Sequence, residues 1–208
     1  MKLDVHVHTR YSGHSLLKPE SVVRIARRRG LEAVAITDHN TIEGAVELSR
    51  VFPTIIGEEV TCVEGDVIGL FLRERVGRGP ALEVMDEIRA QGGLVMIPHP
   101  FDTLRREALN DVDICGKGDI IEVFNSRVVR SADNLRAGAF AKERGLPAIV
   151  GSDAHTSVEI GRSWIEIDSI DDPKSFMSSL RSAELHTRRS PVLVHGQTRL
   201  LKLMEAFR

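Results

Sequence analysis

Cysteine is scarce in this sequence, and its scarcity excludes two classes of protein. Cys62 and Cys115 are too few and too far apart among 208 residues for a disulfide framework or a cysteine-rich zinc site, and their rarity fits a reducing cytosol. No apolar run approaches the ~20 residues needed to span a bilayer. Met1-Lys2-Leu3-Asp4 leads directly into polar, histidine-bearing sequence, so a cytoplasmic protein without membrane contact is expected. Charge of one sign is missing too: 28 Lys and Arg against 30 Asp and Glu leave a net charge of −2, too little to recruit nucleic acid or an anionic membrane. Aromatic residues make up only 4% of the chain, and no stripe of them suggests a nucleic-acid groove. No glycine fingerprint or Walker sequence follows the first apolar strand, which counts against dinucleotide and NTP binding.

What is present is 42% hydrophobic residues, enough for one core. A single domain over residues 1–208 is expected, with 185–208 a C-terminal extension packing on it. Short β-branched runs alternate with helix-period segments, the pattern of an α/β protein with parallel strands. Strands are predicted at Leu3 to His8, Ala33 to Thr37, Thr54 to Val63, Asp66 to Leu72, Leu94 to Pro98, Ile120 to Phe124, Pro147 to Gly151 and Trp164 to Ile167. Helices are predicted at Pro19 to Arg29, Ile42 to Val51, Ala81 to Gln91, Thr103 to Asn110, Ala132 to Arg144 and Pro173 to Arg181, with a helical tail from Thr198 to Phe207. About seven strand–helix units argue for a closed or nearly closed β/α barrel, with a doubly wound open sheet as the competitor.

Six of the eight histidines, His6, His8, His14, His39, His99 and His155, fall at or just beyond the C-terminal ends of predicted strands. In a β/α barrel those ends form one rim, where residues distant in sequence converge. His6 and His8 are spaced i, i+2, so on a strand they share a face and can grip one cation. Asp153 and His155 repeat the alternation after a late strand, and Thr37-Asp38-His39-Asn40 and Pro98-His99-Pro100 add to it. Each element alone reads equally well as a turn or a half-buried strand; four on one rim point to a metal site. Carboxylates suit bridging positions between cations. Glu58 and Glu59 are both candidates, and strand alternation admits only one to the interior without choosing between them.

These motifs, His6-Val7-His8-Thr9 with Tyr11-Ser12, Thr37-Asp38-His39, Gly57-Glu58-Glu59, His99-Pro100 and Gly151-Ser152-Asp153-Ala154-His155, resemble in order those of the PHP (polymerase and histidinol phosphatase) family. The resemblance covers nearly all of the first 160 residues and implies a distorted seven-stranded β/α barrel holding two or three divalent ions, Zn, Mn or Fe. It implies His6, His8, Glu59 and Asp153 around one ion, Glu59 bridging to a second that His99 also holds, and His14, His39 and His155 around a third. Glu59 fits the family's Gly-x-Glu better than Glu58 does. Near residue 125 the family often places a His or Cys ligand; here the polar candidates are Asn125 and Glu122, and an amide is a weak ligand for a soft metal.

Such a centre suits phosphate esters, because divalent ions neutralise the anionic oxygens and lower the pKa of a bound water. The expected activity is hydrolysis of a small phosphorylated metabolite, a nucleotide or an oligonucleotide end by a metal-activated hydroxide. Arg10 and Arg127 are candidates for gripping the phosphate. Asp38 is a candidate partner for an imidazole, with a general-acid role as its alternative. His186, His195 and Arg162 read as structural or surface residues. The alternative readings are a histidinol phosphatase, a non-catalytic RNA- or polymerase-associated scaffold, and an amidohydrolase-like barrel. Specificity is expected to lie in the loops Arg73 to Pro80 and Phe101 to Asp119; oligomeric state leaves no signature in the sequence.

Overall fold

In the computed structural model, which describes residues 1–196 and 198, the apolar runs become strands and the amphipathic segments become helices. In chain order these are β1 (Lys2–Val7), α1 (Pro19–Arg28), β2 (Ala33–Ile36), α2 (Glu43–Ser49), β3 (Thr54–Thr61), β4 (Asp66–Leu70), α3 (Ala81–Ala90), β5 (Leu94–Ile97), α4 (Val112–Cys115), β6 (Ile120–Asn125), α5 (Ser131–Arg144), β7 (Ala148–Gly151), β8 (Trp164–Glu166), α6 (Pro173–Ser179) and β9 (Glu184–His186). Helix α1 shows the local logic. Pro19, whose missing N–H costs nothing at a first turn, opens it; Val22, Val23 and Ala26 are buried; and Gly30, at φ 72°, lets the chain turn away. No described helix is long and apolar enough to cross a membrane. The predicted tail helix lies, apart from Thr198, outside the described residues.

The strands form one nine-stranded sheet in the order β7-β6-β5-β4-β3-β2-β1-β8-β9. The His8 N–H donates to the Ala154 carbonyl at 2.9 Å and the Ala154 N–H to the His6 carbonyl at 3.2 Å. These two bonds tie the chain beyond β7 back to β1, so the sheet nearly closes into a barrel. The count of nine, rather than seven, arises because β8 and β9 add antiparallel strands on the far side of β1. The expectation of uniformly parallel strands fails at β4, which runs antiparallel to both β3 and β5. Only Cys62 to Gly65 separate β3 from β4, and a parallel crossover needs a dozen residues or more, so the chain can only fold back as a hairpin.

The predicted helix from Thr103 to Asn110 is also absent: that stretch is a series of turns, and the short helix α4 begins only at Val112. Side chains there satisfy backbone groups that a helix would have used or redirect them elsewhere. Asp102 accepts from the Leu104 N–H at 3.0 Å, and Asp133 of α5 accepts from the Thr103 N–H at 3.0 Å and its hydroxyl at 2.9 Å. Asp111 caps α4 by accepting from the Asp113 and Ile114 N–H groups.

Two strand irregularities decide what faces the interior. The β1–β2 register shifts between Asp4 and Val7. Leu3 and Val5 therefore join Ala33 and Ala35 in the interior cluster, Val7 packs outward with Val22 and Ala45, and His6 and His8 take the inner face above Val5. A similar shift in β6 between Glu122 and Phe124 brings Glu122 and Asn125, three residues apart, to the same side. In β3 the alternation holds: Glu59 turns inward, while Glu58 turns the other way and accepts from the Val76 N–H at 2.8 Å.

Glu58 is fully buried, and its second carboxylate oxygen, with no hydrogen-bond partner among the described residues, lies 3.8 Å from Arg75. Burial pushes its carboxyl up to about 7 from an ordinary 4.5, despite the Val76 bond and Arg75. The folded protein thus holds this proton more tightly than the unfolded chain does, so stability falls as pH rises from 4.5 to about 7 and stays lowered above that. Glu58→Gln keeps the acceptor and removes the charge. It should raise stability at pH 8 by about 2 kcal/mol and leave it nearly unchanged at pH 4, as measured by denaturant titration at both values.

Candidate metal centre

The strand ends predicted to share a rim do share one. β1 supplies His6 and, just past its end, His8; β3 supplies Glu59; His99 follows β5; Glu122 and Asn125 end β6; and Asp153 and His155 follow β7. His14 and His39 enter from the loops after β1 and β2. At His99 (φ 30°) and Asp153 (φ 53°) the backbone takes a left-handed conformation that non-glycine residues rarely adopt, as happens where a side chain must be aimed.

The inner group is short of protons. His6 Nδ1 lies 3.0 Å from Glu122 Oε1, an acceptor, so that ring nitrogen carries the hydrogen and, in the neutral imidazole, Nε2 is bare. The Ser12 hydroxyl donates to Asp38 at 2.6 Å, so it must accept from His8 Nδ1 at 3.1 Å, and His8 Nε2 is bare as well. These two bare nitrogens stand 3.0 Å apart. Glu59 Oε2 is 3.2 Å and Asp153 Oδ1 3.4 Å from His8 Nε2, and neither buried oxygen has a hydrogen-bond partner. His99 Nε2 meets the other Glu59 oxygen at 3.0 Å, and His39 Nε2 is 3.3 Å from Glu59 Oε2. Beside them, His155 Nε2 and His14 Nε2 are 3.0 Å apart, with the His14 and His39 rings 4.9 Å apart.

Lone pairs converging without hydrogens repel unless a cation lies among them, and the donor set of imidazoles and carboxylates is that of a divalent transition metal. The trios His6–Glu59–His99, His6–His8–Asp153 and His8–His39–His155 each bring three ligand atoms within 4.8 Å of one another. The electrostatics agree. Burial opposes charge on Glu59, yet His39 and His6 hold its carboxyl well below the usual range; Asp153 is held down likewise by Arg105 and His6. Burial works against charging His6 too, but Glu122, Asp153 and Glu59 outweigh it and raise its pKa well above the imidazole range, so without a cation a proton on Nε2 supplies the positive charge that this cluster demands. Burial, with His8 and Arg127 nearby, holds His155 well below it.

A second layer fixes the first. Glu122 spends one oxygen on His6 and the other on the His99 N–H (2.7 Å) and Asn125 Nδ2 (2.9 Å), so neither is left for an ion. Asp38 lies behind His8 rather than beside it. Its carboxylate accepts from the Thr9 N–H, the Thr9 hydroxyl and the Ser12 hydroxyl, each at 2.6 Å, and reaches the imidazole only through Ser12. That geometry suits orientation of the ring, not proton donation to a substrate. Asn125, expected as a ligand, corrects the reading further. Its Oδ1 accepts from the Arg127 N–H at 2.9 Å, which fixes the amide so that Nδ2 points at Glu122 and, at 3.3 Å, Asp153. The group offered to the cluster is a donor, and a donor cannot coordinate a cation.

A cavity of about 420 Å³ opens over the cluster, lined among others by His14, His39, His155, Arg127, Arg105 and Asp66. Arg127 is buried and places Nη1 2.6 Å from His155 Nδ1. Arg10 does not line this cavity: its side chain is 47% exposed and faces Glu47 at 3.9 Å. Arg105 does line it, and sequence reasoning misses this residue because Thr103 to Asn110 reads as a helix. Arg105 Nη2 donates to Asp153 Oδ2 at 2.7 Å. His195, read as peripheral, lines the cavity with Thr198, whose hydroxyl accepts from Arg127 Nη2 at 2.7 Å. His186 does lie apart, stacked on Trp164 at 3.6 Å along the β8–β9 edge, and Arg162 bonds the carbonyls of Val158 and Arg189.

Residues 4–69 match the family model described as PHP domain, and residues 131–185 the one described as PHP-associated. An uncharacterized protein of Methanocaldococcus jannaschii is 37% identical over 145 residues, which cover 61% of this chain and 82% of the relative. A probable phosphatase of Thermoanaerobacter pseudethanolicus is 28% identical over 199 residues, covering 77% of this chain and 81% of that protein. Among solved structures, a two-domain protein of Bacteroides vulgatus containing a predicted PHP-like metal-dependent phosphoesterase matches with a TM-score of 0.75 at 18% identity. The match takes in 90% of this chain and 65% of that protein, so the chain spans about 65% of its length, and at this identity the likeness is one of fold.

Glu122 fixes the His6 tautomer, and partners of that kind change metal affinity by about 10–100-fold when removed. Glu122→Gln should weaken divalent-ion binding by that factor in a protein that still folds, read by competition with a chelating dye. Unchanged affinity would mean that His6 is oriented by something else.

Proposed function

This chain belongs to the PHP domain family, and from that premise we propose that it is a metal-dependent phosphoesterase acting on a small phosphorylated metabolite, a nucleotide or an oligonucleotide end. One observation carries the reading: the cluster of His6, His8, Glu59 and Asp153 adjoins His39 and His155, which line a cavity together with Arg105 and buried Arg127. A cation centre beside guanidinium groups is a receptor for an anionic ester.

In this reading His6, His8, Glu59 and Asp153 hold one ion, Glu59 and His99 a second, and His14, His39 and His155 a third, with Zn, Mn or Fe as the metals. When bound, such ions neutralise the phosphoryl oxygens and activate a water at neutral pH. The chain's own groups do the rest. Glu122 keeps His6 Nε2 bare, and Asp38 does the same for His8 through Ser12. The Asn125 amide and Arg105 together hold Asp153 Oδ2, leaving Oδ1 turned to the histidines. Arg105 and Arg127 draw the phosphate into the cavity and stabilise charge that grows on its oxygens during attack. A volume of about 420 Å³ suits a ligand of metabolite or nucleotide size.

Chelated protein given back Mn²⁺ or Zn²⁺ should hydrolyse p-nitrophenyl phosphate. His8→Ala should lower kcat/KM by at least ~10²-fold, and Arg105→Ala should both raise KM and lower kcat. Hydrolysis that survived both chelation and His8→Ala would overturn the assignment.

A further inference from the structure

One buried acid at the barrel mouth has no task in the scheme above. Asp66 begins β4, is 1% exposed, and lines the cavity beside His39, yet its Oδ1 has no hydrogen-bond partner. Its presence there follows from topology. The parallel strands bring their C-terminal ends to the mouth, whereas antiparallel β4, returned by the Cys62-to-Gly65 hairpin, brings its first residue. The Asp66 N–H donates to the Glu107 carbonyl at 2.7 Å, which pins the strand start under the loop after β5.

A carboxylate oxygen of Asp66, a ring nitrogen of His39 and a carboxylate oxygen of Glu59 lie within 4.8 Å of one another. Ligands about 2.1 Å from a shared ion stand up to about 4.2 Å apart, so a few tenths of an ångström of side-chain movement closes this trio on one ion. We propose that Asp66 is a further ligand of the metal centre, forming with Glu59 and His39 a cation position on the cavity side of the cluster that takes His39 in place of its assignment beside His14 and His155. The inference rests on the metal-centre reading of the proposed function.

Charge supports it. Asp66 is buried among carboxylates, with Glu59 and Glu107 near it, and the nearby cation, Arg105, is already engaged with Asp153 at 2.7 Å and Asp102 at 3.6 Å. Burial beside these carboxylates makes charge on Asp66 costly, so to be ionised it would need a counter-charge of its own. The ligand balance supports it as well. Asn125 turns a donor toward the cluster and so adds no ligand, whereas Asp66 offers an anionic one. One imidazole and two carboxylates favour an oxygen-preferring ion, Mn²⁺ over Zn²⁺.

The competing account is that Asp66 simply keeps a proton in its buried setting. Asp66→Asn separates the two, since it preserves shape and removes charge. Chelated wild-type, Asp66→Asn and Asp66→Ser proteins are titrated with Mn²⁺, and free ion is read by its EPR signal. Circular dichroism of each apoprotein identifies variants that fold, and either folded variant decides the outcome. The expected result is loss of one bound Mn²⁺, or at least tenfold weaker binding of it, with a smaller effect on Zn²⁺ measured by dye competition. If a folded variant binds Mn²⁺ in the same number and with the same affinity as wild type, Asp66 is only a protonated acid and this inference falls alone. If wild-type protein binds no divalent ion, the metal-centre reading falls and this inference with it. Should neither variant fold without metal, the ligand role is likewise rejected in favour of a structural one.

Discussion

The structure turns on a surplus of electron pairs. Within the barrel mouth, His6 Nε2, His8 Nε2, Glu59 Oε2 and Asp153 Oδ1 face one another, and with neutral imidazoles no hydrogen lies between them, because Glu122 and Ser12 draw the ring protons outward. That arrangement is repulsive by itself and becomes favourable only around positive charge. Much of what surrounds it, from the Asp38–Ser12 relay to the locked Asn125 amide, serves to keep those pairs pointed inward.

Backbone irregularity is the means of assembly. A regular β1 would send His6 and His8 to the side opposite Leu3 and Val5; the register shift before Val7 lets one strand contribute an apolar floor and then polar ligands to the same interior. The shift in β6 does likewise for Glu122 and Asn125. Small residues make room where strands crowd. A Cβ on Gly151 would lie 2.7 Å from the His6 Cβ and would also strike Glu122, so the strand carrying Asp153 can approach β1 only with glycine there.

Much of this was legible in the sequence, for physical reasons. Strand ends converge in any barrel, so motifs such as His6-Val7-His8 and Asp153-Ala154-His155 announced a shared rim without knowledge of register. Glu58 and Glu59 could not be told apart by alternation, and the chain's own register separates them. What stayed hidden depends on contacts between distant segments. Asn125 as a ligand failed because the Arg127 N–H dictates its amide orientation, Arg10 because Glu47 draws it away, and Arg105 went unseen because Asp102 and Asp133 unmake the helix its neighbourhood favours. The sense of β4 did have a signal, the four residues after Thr61, whose brevity forbids a crossover.

That brevity makes the hairpin a ruler. Side chains on a strand alternate faces, so removing a single residue between Thr61 and Asp66, if β4 slipped to follow it, would swing the acid outward, put Val67 in its place and turn Ile68 and Leu70 out of the interior. The acid on one wall of the cavity and the apolar floor beneath it are thus fixed together by the length of one turn.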